Sequence, residues 1–537
     1  MRPVQKLFLL GLLFSVLSFL PISVSESDTK FDLENKASPR LNSITSSIVD
    51  DFLVNDDTGS GTQMDPAIST DPFYGNFVLT WDDNREFYPK IYAQRLDYSG
   101  ARLGINFKVN DDTGTGWQLV PAIGKDLFGN FVIVWWDWNC GICGQRFSIS
   151  GTPLGARFAA NSYNPQGWVS YPAIAVDLFG DFIITWQEEN YYFNSNIYAQ
   201  LFDSSGTASD STFRVEYGAT SYAHAPSIAL DGSGNFMITW ADKRADGTYQ
   251  VYAQRFNSAG TPLGSNFKVS DLNVTASQAS PAAAANWSGD FIITWEDYRN
   301  GHFDIYAQRF DSSGSPIDSN FKVNDGAGSA YPYQYSPSIA VDVQGSGSFV
   351  ITWEDGRNGN ADIYAQRYDS SASRVRNNYM VNDPQFASFA QTTPDIAVNG
   401  SKLFFTWMDT RRGNRDIYAK IVDWNWTEVE EEELANLPNS YELSQNFPNP
   451  FNPYTNISFS LKAQGSTLKG SIRTSLIIYN ILGQKVKTLL DEEKLPGSYK
   501  VIWDGKDDLG KEVASGIYFY QLKTPDYTAT KKMILLR

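Results

Sequence analysis

The polar residues that recur most often in this sequence form a W-x-D-x-R pattern, with an acidic and a basic side chain two positions apart. Residues two apart on a β-strand point to the same side, so each pair can form a salt bridge. Exposed pairs of this kind contribute only about 0.2–1 kcal/mol. A catalytic acid is normally unique, so the repetition predicts a structural role, with a ring-shaped ligand site as the alternative. The pairs are Asp83/Arg85, Asp242/Arg244, Asp297/Arg299, Asp355/Arg357 and Asp409/Arg411.

Three of these arginines are also expected to face an acid across the hairpin, at Asp304, Asp362 and Asp416. Two copies of the pattern differ and read Asp137/Asn139 and Glu188/Asn190. Acids that do not repeat are the only candidates for a glycoside hydrolase or lyase, whose chemistry uses carboxyl groups. These candidates are Glu188, Glu189 and Glu216, and the preferred interpretation of the sequence assigns no catalytic residue.

Histidine and cysteine are too scarce for most metal or nucleophilic chemistry. His224 and His302 are the only histidines, which argues against a Ser/His/Asp triad or a multi-histidine metal site. Cys140 and Cys143 form a C-x-x-C at a predicted hairpin tip, where no helix lowers a thiol pKa. A local disulfide is favoured outside the cytoplasm; free thiols and half of a metal site are the alternatives. The sequence therefore predicts no metal and no cofactor.

Short acidic turns and exposed aromatic residues are the remaining candidates for binding. The turns beginning at Asp126, Asp177 and Asp231 could offer oxygen ligands to calcium, but each supplies too few carboxylates and fits ordinary turn chemistry. Aromatic residues in the predicted loops between repeats could cover the ends of the sheets or stack on sugars or peptides, and the first use is favoured. They are Trp117, Trp168, Tyr331, Tyr333 and Tyr335.

A tryptophan that closes an apolar run recurs at spacings of 51 to 58 residues, and this period defines the elements that carry those side chains. Each repeat holds four short strand-like segments, and runs such as FIITW are apolar on both alternations, as in a sheet covered on both faces. Four strands per repeat of this length are typical of a propeller blade. The tryptophans are Trp81, Trp135, Trp186, Trp240, Trp295, Trp353 and Trp407.

Counting strands predicts that the ring closes. The fourth segment of the repeat, as in Asn320–Asp325, is missing after the last repeat but has a match at Asp51–Asp56. The N-terminal strand is therefore expected to complete the last blade and remove an exposed sheet edge. We predict an all-β chain with a seven-bladed β-propeller over residues 50–425, followed by a small immunoglobulin-like β-sandwich. An open β-solenoid is the alternative.

Composition limits the partners and the compartment. The formal net charge of −17 disfavours binding to nucleic acid. Residues 1–25 have a basic start, a 14-residue apolar stretch and small residues at the end, which indicates a secretory signal peptide, with an uncleaved anchor as the alternative. No segment of the mature chain is predicted to cross a membrane. Residues 26–49 form an N-terminal segment, and the acidic run within 426–440 is a linker.

The C-terminal region, 441–537, has a different composition, with more basic than acidic residues from Pro438 onward. It contains Phe447-Pro448-Asn449-Pro450-Phe451-Asn452-Pro453, then IYNILGQKVKTL with Gly483, WDGKDDLGKEVASGIYFYQL with Gly516, and KKMILLR. These motifs closely resemble the type A C-terminal sorting domain of the type IX secretion system of gram-negative bacteria. The three prolines also predict a rigid segment that cannot pair in the centre of a sheet.

The resemblance implies export through the periplasm and then across the outer membrane, with the type IX machinery as a partner and the cell surface or the exterior as destination. The repeats also resemble propeller repeats of secreted bacterial proteins, but that likeness names no activity. We therefore expect a non-enzymatic propeller that binds an extracellular glycan or protein. The alternative is a secreted polysaccharide-degrading enzyme on the same scaffold.

Overall fold

A computed structural model defines two compact units, residues 1–426 and 427–537, and each is described by itself. The first unit is described over residues 51–57, 59, 61–71, 75–110, 116–161, 167–190, 194–209, 211–216, 222–244, 247–271, 273–325, 333–342, 347–400 and 402–424. The second is described over residues 440–462, 472–494, 497–508 and 510–536. The predicted signal peptide, the 26–49 segment and nearly all of the predicted linker lie outside these residues.

The described part of the first unit contains seven four-stranded antiparallel sheets, numbered here as blades 1 to 7. Strand β1 is Phe52–Leu53. Blades 1 to 3 are β2 Gln63–Thr70, β3 Phe77–Asp83, β4 Lys90–Leu96, β5 Phe107–Lys108; β6 Gln118–Lys125, β7 Phe131–Asp137, β8 Gly141–Phe147, β9 Phe158–Ala159; and β10 Gly167–Val176, β11 Phe182–Asn190, β12 Ser195–Phe202, β13 Phe213–Arg214.

Blades 4 to 6 repeat the same order. They are β14 His224–Leu230, β15 Phe236–Lys243, β16 Tyr249–Phe256, β17 Phe267–Lys268; β18 Gln278–Ala285, β19 Phe291–Asp297, β20 Asp304–Phe310, β21 Pro316–Lys322; and β22 Gln334–Val341, β23 Phe349–Asp355, β24 Asp362–Tyr368, β25 Arg374–Met380. Blade 7 is β26 Gln391–Asn399, β27 Lys402–Asp409, β28 Asp416–Asp423 and the N-terminal β1.

The blades form a closed ring, because the first strand of each blade packs on that of the next and β26 of blade 7 packs on β2 of blade 1. Strand β1 pairs antiparallel with β28, with Phe52 opposite Ala419 and Leu53 opposite Tyr418. The predicted all-β propeller is confirmed, and the N-terminal strand lies where the strand count places it. The apolar runs ending in tryptophan are buried on both faces, and all seven repeat tryptophans are fully buried.

A β-bulge interrupts the first strand of every blade at a residue that precedes proline. In blade 1, Asp65 and Pro66 together oppose Trp81, since Met64 pairs with Asp82 and Ala67 with Thr80. The residue before each proline has a left-handed φ between 47° and 53°, although none is glycine. Bulges re-aim side chains, so each blade presents one variable residue here. These residues are Asp65, Val120, Tyr171, Ala225, Ser280, Ser336 and Thr393.

The second unit is a small β-domain built from two sheets. Strands β29 Glu442–Leu443, β30 Thr455–Leu461 and β33 Gly497–Trp503 form one sheet. Strands β32 Lys485–Lys494, β31 Ile472–Asn480, β34 Gly516–Lys523 and β35 Thr528–Leu535 form the other. Its core includes fully buried Trp503 and Tyr520.

The proline-rich segment of the second unit runs along the edge of β35. The N–H of Phe451 donates to the carbonyl oxygen of Ile534 at 3.0 Å, and the N–H of Leu536 donates back to Phe451 at 2.9 Å. The position at an edge agrees with the expectation from its prolines. Among the described residues of both units, the one helix is the 3₁₀ turn Pro384–Phe386. No helix in this part of the chain is long and apolar enough to cross a membrane.

Candidate functional site

The two ends of the propeller differ in their exposed side chains. The hairpin face comprises the hairpins between the second and third strands and the loops that lead into the first strands. The turn face is the opposite end, with the tight turns between first and second and between third and fourth strands. Most exposed aromatic residues of the described propeller lie on the hairpin face: Phe87, Trp117, Trp138, Trp168, Tyr171, Tyr222, Tyr298, Tyr333, Tyr335 and Phe389.

The tryptophan cluster, Trp117, Trp136, Trp138 and Trp168, lies on blades 2 and 3. The ring centroids of Trp138 lie 6.2 Å from Trp136 and 6.0 Å from Trp168, both edge to face. The N–H of Trp138 donates to the carbonyl oxygen of Trp117 at 3.0 Å, which fixes the two backbones. Trp138 is 56% and Trp168 66% exposed, so these rings leave large apolar areas in contact with water. Large exposed apolar patches on soluble proteins mark sites that bind other molecules.

The tyrosine cluster, Tyr298, Phe303, Tyr333 and Tyr335, lies on blades 5 and 6. Phe303 contacts Tyr298 and Tyr335 with ring centroids 5.1 and 5.6 Å apart. The rings of Tyr333 and Tyr335 are nearly parallel, at 8°, with centroids 6.0 Å apart. Tyr331, which the sequence groups with them, lies outside the described residues. These residues form a second exposed aromatic platform on the same face.

Carboxylates lie beside both clusters. Glu189 is the cross-strand partner of Trp168, and Glu354 is that of Tyr335. Direct partners lie on one face of the sheet, with Cβ atoms about 4.5–5.5 Å apart. Burial raises the pKa of Glu354, which accepts the backbone N–H of Thr393 at 2.7 Å. Each platform therefore combines apolar rings with a hydrogen-bond acceptor.

In blades 5 and 6, the residue between Trp and Asp of the W-x-D motif is a glutamate that contacts the β-bulge in the first strand of the next blade. Glu354 Oε1 accepts from Thr393, and Glu296 Oε1 accepts the N–H of Ser336 at 2.8 Å. Burial raises the pKa of Glu296 as well. These side chains therefore link each blade to the first strand of the next blade. Neither glutamate is among the residues predicted from the sequence, where the available signal is that this one position of the W-x-D motif varies from blade to blade.

Asp65 and Asp82 form a carboxyl pair in blade 1. Asp65 is the bulge residue of β2, and fully buried Asp82 lies on β3 and also faces the backbone N–H of Val120 in blade 2. Burial, together with the adjacent Asp65, raises the pKa of Asp82 to about 8. Burial also raises the pKa of Asp65. The pair therefore binds a proton more tightly than two ordinary aspartates do.

The W-x-D-x-R motifs are structural, but the prediction that they are exposed is wrong. The aspartates are buried, and their arginines bridge to them at 2.5–3.0 Å while stacking on a tyrosine of the third strand. In four blades the indole N–H of the repeat tryptophan donates to the same aspartate. The motif thus ties the second strand, the hairpin and the third strand into one unit.

The predicted contacts of these arginines with Asp304, Asp362 and Asp416 are also wrong. The Arg299 guanidinium bridges to Asp297, whereas Asp304 binds Lys322 at 2.7 Å and Asn324 at 2.9 Å. Asp362 and Asp416 accept from the equivalent Asn382 and Asn55. At the hairpin tips, Asn300 and Asn358, and not the motif arginines, donate to Asp304 and Asp362.

A buried asparagine just after the fourth strand links each of several blades to the next. Asn324 donates to Asp304 in its own blade and to Gln334 of the following blade at 3.1 Å, and accepts the N–H of Ile305 at 2.9 Å. Glu216 occupies this position in blade 3, where it accepts the N–H of Ile197 and bridges to Arg214 at 2.7 Å. Its blade-unique identity therefore reflects a structural substitution.

The other sequence candidates have local roles. Cys140 and Cys143 are joined in a disulfide. Asp126, Asp177 and Asp231 accept backbone N–H groups two and four residues later, as in ordinary turns. His302 lies 3.5 Å from Asp304, and His224 packs against the ring of Tyr249. Among the described residues no group of three or more acidic, histidine or cysteine side chains could hold a metal ion.

The turn face has a cavity of about 650 Å³ where the first strands end. It is lined by residues of all seven blades, among them Thr70, Lys125, Phe179, Trp287, Val341 and Val398. Lys125 forms a buried ion pair with Asp71 at 3.1 Å, and burial lowers the pKa of this lysine. Among the described residues, the exposed aromatic side chains at this end are Tyr98 and Phe128.

Residues 445–536 match the family of secretion system C-terminal sorting domains. No curated protein matches the sequence. Several solved structures are similar at low identity. A protein of unknown function from Dyadobacter fermentans is 9% identical, with a TM-score of 0.42, over 70% of this chain and 99% of that one.

Two further structures show the same degree of similarity. PorZ, a surface component of the type IX secretion system of Porphyromonas gingivalis, is 16% identical, with a TM-score of 0.39, over 88% of this chain and 59% of that one. An α-L-arabinanase of Penicillium chrysogenum is 12% identical, with a TM-score of 0.40, over 71% and 99%.

The sorting domain defines the destination of the chain, because it is the address read by the type IX secretion machinery. The protein is thus exported to the cell surface or the extracellular space, and it interacts with that machinery. Its residues 445–536 belong to the secretion system C-terminal sorting domain family, carried behind an all-β propeller.

Proposed function

We propose that this protein is a non-enzymatic glycan-binding propeller that works at the cell surface or in the extracellular space. The observation that carries the proposal is the pair of exposed aromatic clusters on the hairpin face. The C–H faces of sugar rings are apolar, so they pack against flat aromatic rings, while sugar hydroxyl groups need polar partners nearby. Trp168 with Glu189, and Tyr335 with Glu354, provide both features.

The rest of the structure supports a binding role. Glu216, one of the blade-unique acids that suggested catalysis, accepts a backbone N–H group of the fold. The closed ring holds the loops on a rigid frame, which limits the ordering cost of binding. The Arg299–Asp297 bridge fixes the hairpin from which Tyr298 projects, and Asp137, which accepts the backbone N–H of Asn139, fixes the hairpin of Trp138.

We further propose the order of segments along the chain. Residues 1–25 direct export from the cytoplasm as a signal peptide, and 26–49 precede the propeller of 50–425. The linker 426–440 then separates the propeller from the sorting domain of 441–537. Surface attachment requires the last module, whereas glycan binding requires only the propeller.

A polysaccharide-binding assay with matched variants tests the glycan-binding role. We expect the mature protein to be retarded in gels that contain the cognate polysaccharide. Trp138→Ala and Trp168→Ala should each weaken binding by about tenfold or more, since buried aromatic anchors are worth about 1–2 kcal/mol or more. Phe128→Ala, at a similarly exposed aromatic on the turn face, is the control and should bind normally. A broad panel of glycans with no ligand would refute the role.

The Asp65–Asp82 pair favours a second candidate, the cleavage of glycosidic bonds. A carboxylic acid with a pKa near 8 can donate a proton at neutral pH. However, the two carboxyl groups that flank a glycosidic bond are about 5–10 Å apart, and this pair is in direct contact. The second carboxylate would then come from another blade. Release of reducing ends by the wild-type protein, abolished in Asp82→Asn, would establish cleavage.

A further inference from the structure

We infer that the ligand of the hairpin face is an uncharged polysaccharide chain that contacts the tryptophan and tyrosine clusters at once. The inference rests on the proposed function and adds two properties of the ligand, its charge and its length. Both follow from the side chains around the clusters and from the positions of the clusters in the ring.

The charge of the ligand follows first from the arginines on the hairpin face. Anionic sugars are bound in proteins mainly by arginine and lysine, through paired hydrogen bonds to carboxylate or sulfate groups. In this propeller the five motif arginines already bridge to buried aspartates. Each of these guanidinium groups also covers a tyrosine ring, so its face is occupied too.

The cross-strand partners of the platform rings have the opposite charge. Glu189 neighbours Trp168, and Glu354 neighbours Tyr335. The pKa of Tyr335 is raised mainly by burial and next by the nearby carboxylate of Glu296. A uronic acid or a sulfated sugar stacked on either ring would bring like charges together at low dielectric, which is unfavourable. Neutral hydroxyl groups instead donate hydrogen bonds to these carboxylates.

The length of the ligand follows from the ring geometry. The tryptophan cluster belongs to blades 2 and 3 and the tyrosine cluster to blades 5 and 6, so blade 4 separates them on one side and blades 7 and 1 on the other. Packed sheets lie about 10 Å apart, which places blades 3 and 5 about 20 Å apart. A single sugar cannot touch both platforms, whereas a chain of several units can.

Affinity electrophoresis of the mature full chain tests the charge. The probes are neutral polymers (a β-glucan, a mannan, an arabinan), anionic polymers (polygalacturonate, a sulfated galactan) and cationic chitosan. We expect retardation by at least one neutral polymer and by none of the anionic ones. The inference would be overturned if an anionic polymer retarded the protein more than the neutral polymers did. It would also be overturned if chitosan alone retarded the protein and added salt abolished that retardation. Either result would still be consistent with glycan binding. If none of these polymers retarded the protein, the proposed function itself would be refuted.

Two variants examine the carboxylate beside the tryptophan cluster. Glu189→Gln keeps a polar side chain and removes the charge, so binding to polygalacturonate should rise relative to binding of the neutral polymer. Glu86→Gln is the control; this glutamate lies on the same face, outside both clusters, and pairs with Lys108. Equal effects of the two variants would show that overall charge, and not the platform carboxylate, excludes anionic chains.

Calorimetry with oligosaccharides of the retained neutral polymer tests the length. We expect the affinity to rise at least tenfold between two and eight units. Trp168→Ala and Tyr335→Ala should each reduce the affinity of the longer oligosaccharide to nearly that of the shorter one. Affinity that does not depend on length, or a loss in only one of the two variants, would contradict a ligand that spans both clusters.

Discussion

At the scale of single residues, the chemistry of this protein depends on which acids the fold buries. Asp83 and Asp82 are neighbours in sequence, yet one binds an arginine and an indole N–H while the other faces Asp65. The W-x-D-x-R pattern identifies Asp83, but nothing in the sequence pairs Asp82 with Asp65, because this partner is 17 positions away and reaches it through a bulge. The repeat could be predicted from the sequence, but the carboxyl pair could not.

The Asp65–Asp82 pair makes stability depend on pH. The pKa of Asp82 is about 8 in the fold and 3.8 ordinarily, so the folded state holds the proton more tightly. Its contribution to stability is full below about pH 4 and is lost as the pH rises to about 8, by at most about 1.4 kcal/mol per pH unit. Asp82→Asn cannot ionise. We therefore expect its melting temperature to exceed that of the wild type by an increasing margin between pH 5 and pH 8.

Thermal melts of Asp311→Asn provide the control for this experiment. Asp311 is a fully exposed turn residue whose pKa is lowered, mainly by the hydroxyl of Ser313, so it is ionised throughout that range. Its substitution should shift the melting temperature by a constant amount from pH 5 to pH 8. A constant shift for Asp82→Asn as well would mean that Asp82 titrates normally.

Glu216 provides a second test at this scale. It occupies the position at which most blades carry asparagine, and one of its oxygens accepts the N–H of Ile197. Asparagine keeps that acceptor, so Glu216→Asn should fold and retain glycan binding. Glu216→Leu removes the acceptor and should destabilise the propeller by about 1–3 kcal/mol. Loss of an enzymatic activity in Glu216→Asn without loss of stability would argue for a catalytic role instead.

At the scale of elements, strands were predictable and their irregularities were not. The spacing of the repeat tryptophans and the apolar runs before them identify the second strands, because both faces of a blade are buried. The bulge before each proline has no such signal, since Val120 and Thr393 are residues that rarely take a positive φ. Similarly, Trp138 and Phe303 were missed as parts of the clusters, because their partners lie on neighbouring strands and hairpins.

The contact that closes the ring gives a prediction about elements. Asn55 follows β1 and donates to Asp416 of β28 and to Gln63 of blade 1. Asn55→Ala leaves these groups without a buried partner and should lower the stability of the propeller by about 1–3 kcal/mol, measured by chemical denaturation. Asn324→Ala, which breaks the equivalent contacts within a continuous stretch of chain, should have a similar effect. If Asn324→Ala destabilised the propeller and Asn55→Ala did not, the N-terminal strand would contribute little to its stability.

At the scale of the whole molecule, binding and address belong to separate units. The propeller and the sorting domain each have their own core and share no sheet in the described residues. This division follows from the sequence, where both the repeat and the acidic composition stop before Pro438. The identity of the ligand does not, since it depends on which loops meet on one face.

Deletion of residues 440–537 tests this division. We expect the shortened chain to accumulate in the periplasm, while its propeller melts within a few degrees of the full-length protein and binds the same glycan. Fractionation followed by immunoblotting, together with a melt of the purified product, measures both. Appearance of the shortened chain outside intact cells would contradict the role of the domain as the address.

Ring closure by β1 also determines when the protein becomes complete. Asn55 and its partner Asp416 are 361 positions apart, so β1, the first described strand, waits during synthesis for β28, the last strand of the propeller. A truncated product keeps two unsatisfied edges and is an easy substrate for proteases. Because the sorting domain is translated after β28, only chains that already contain every blade carry the signal for release. Chain order alone thus restricts the export signal to chains that contain all seven blades.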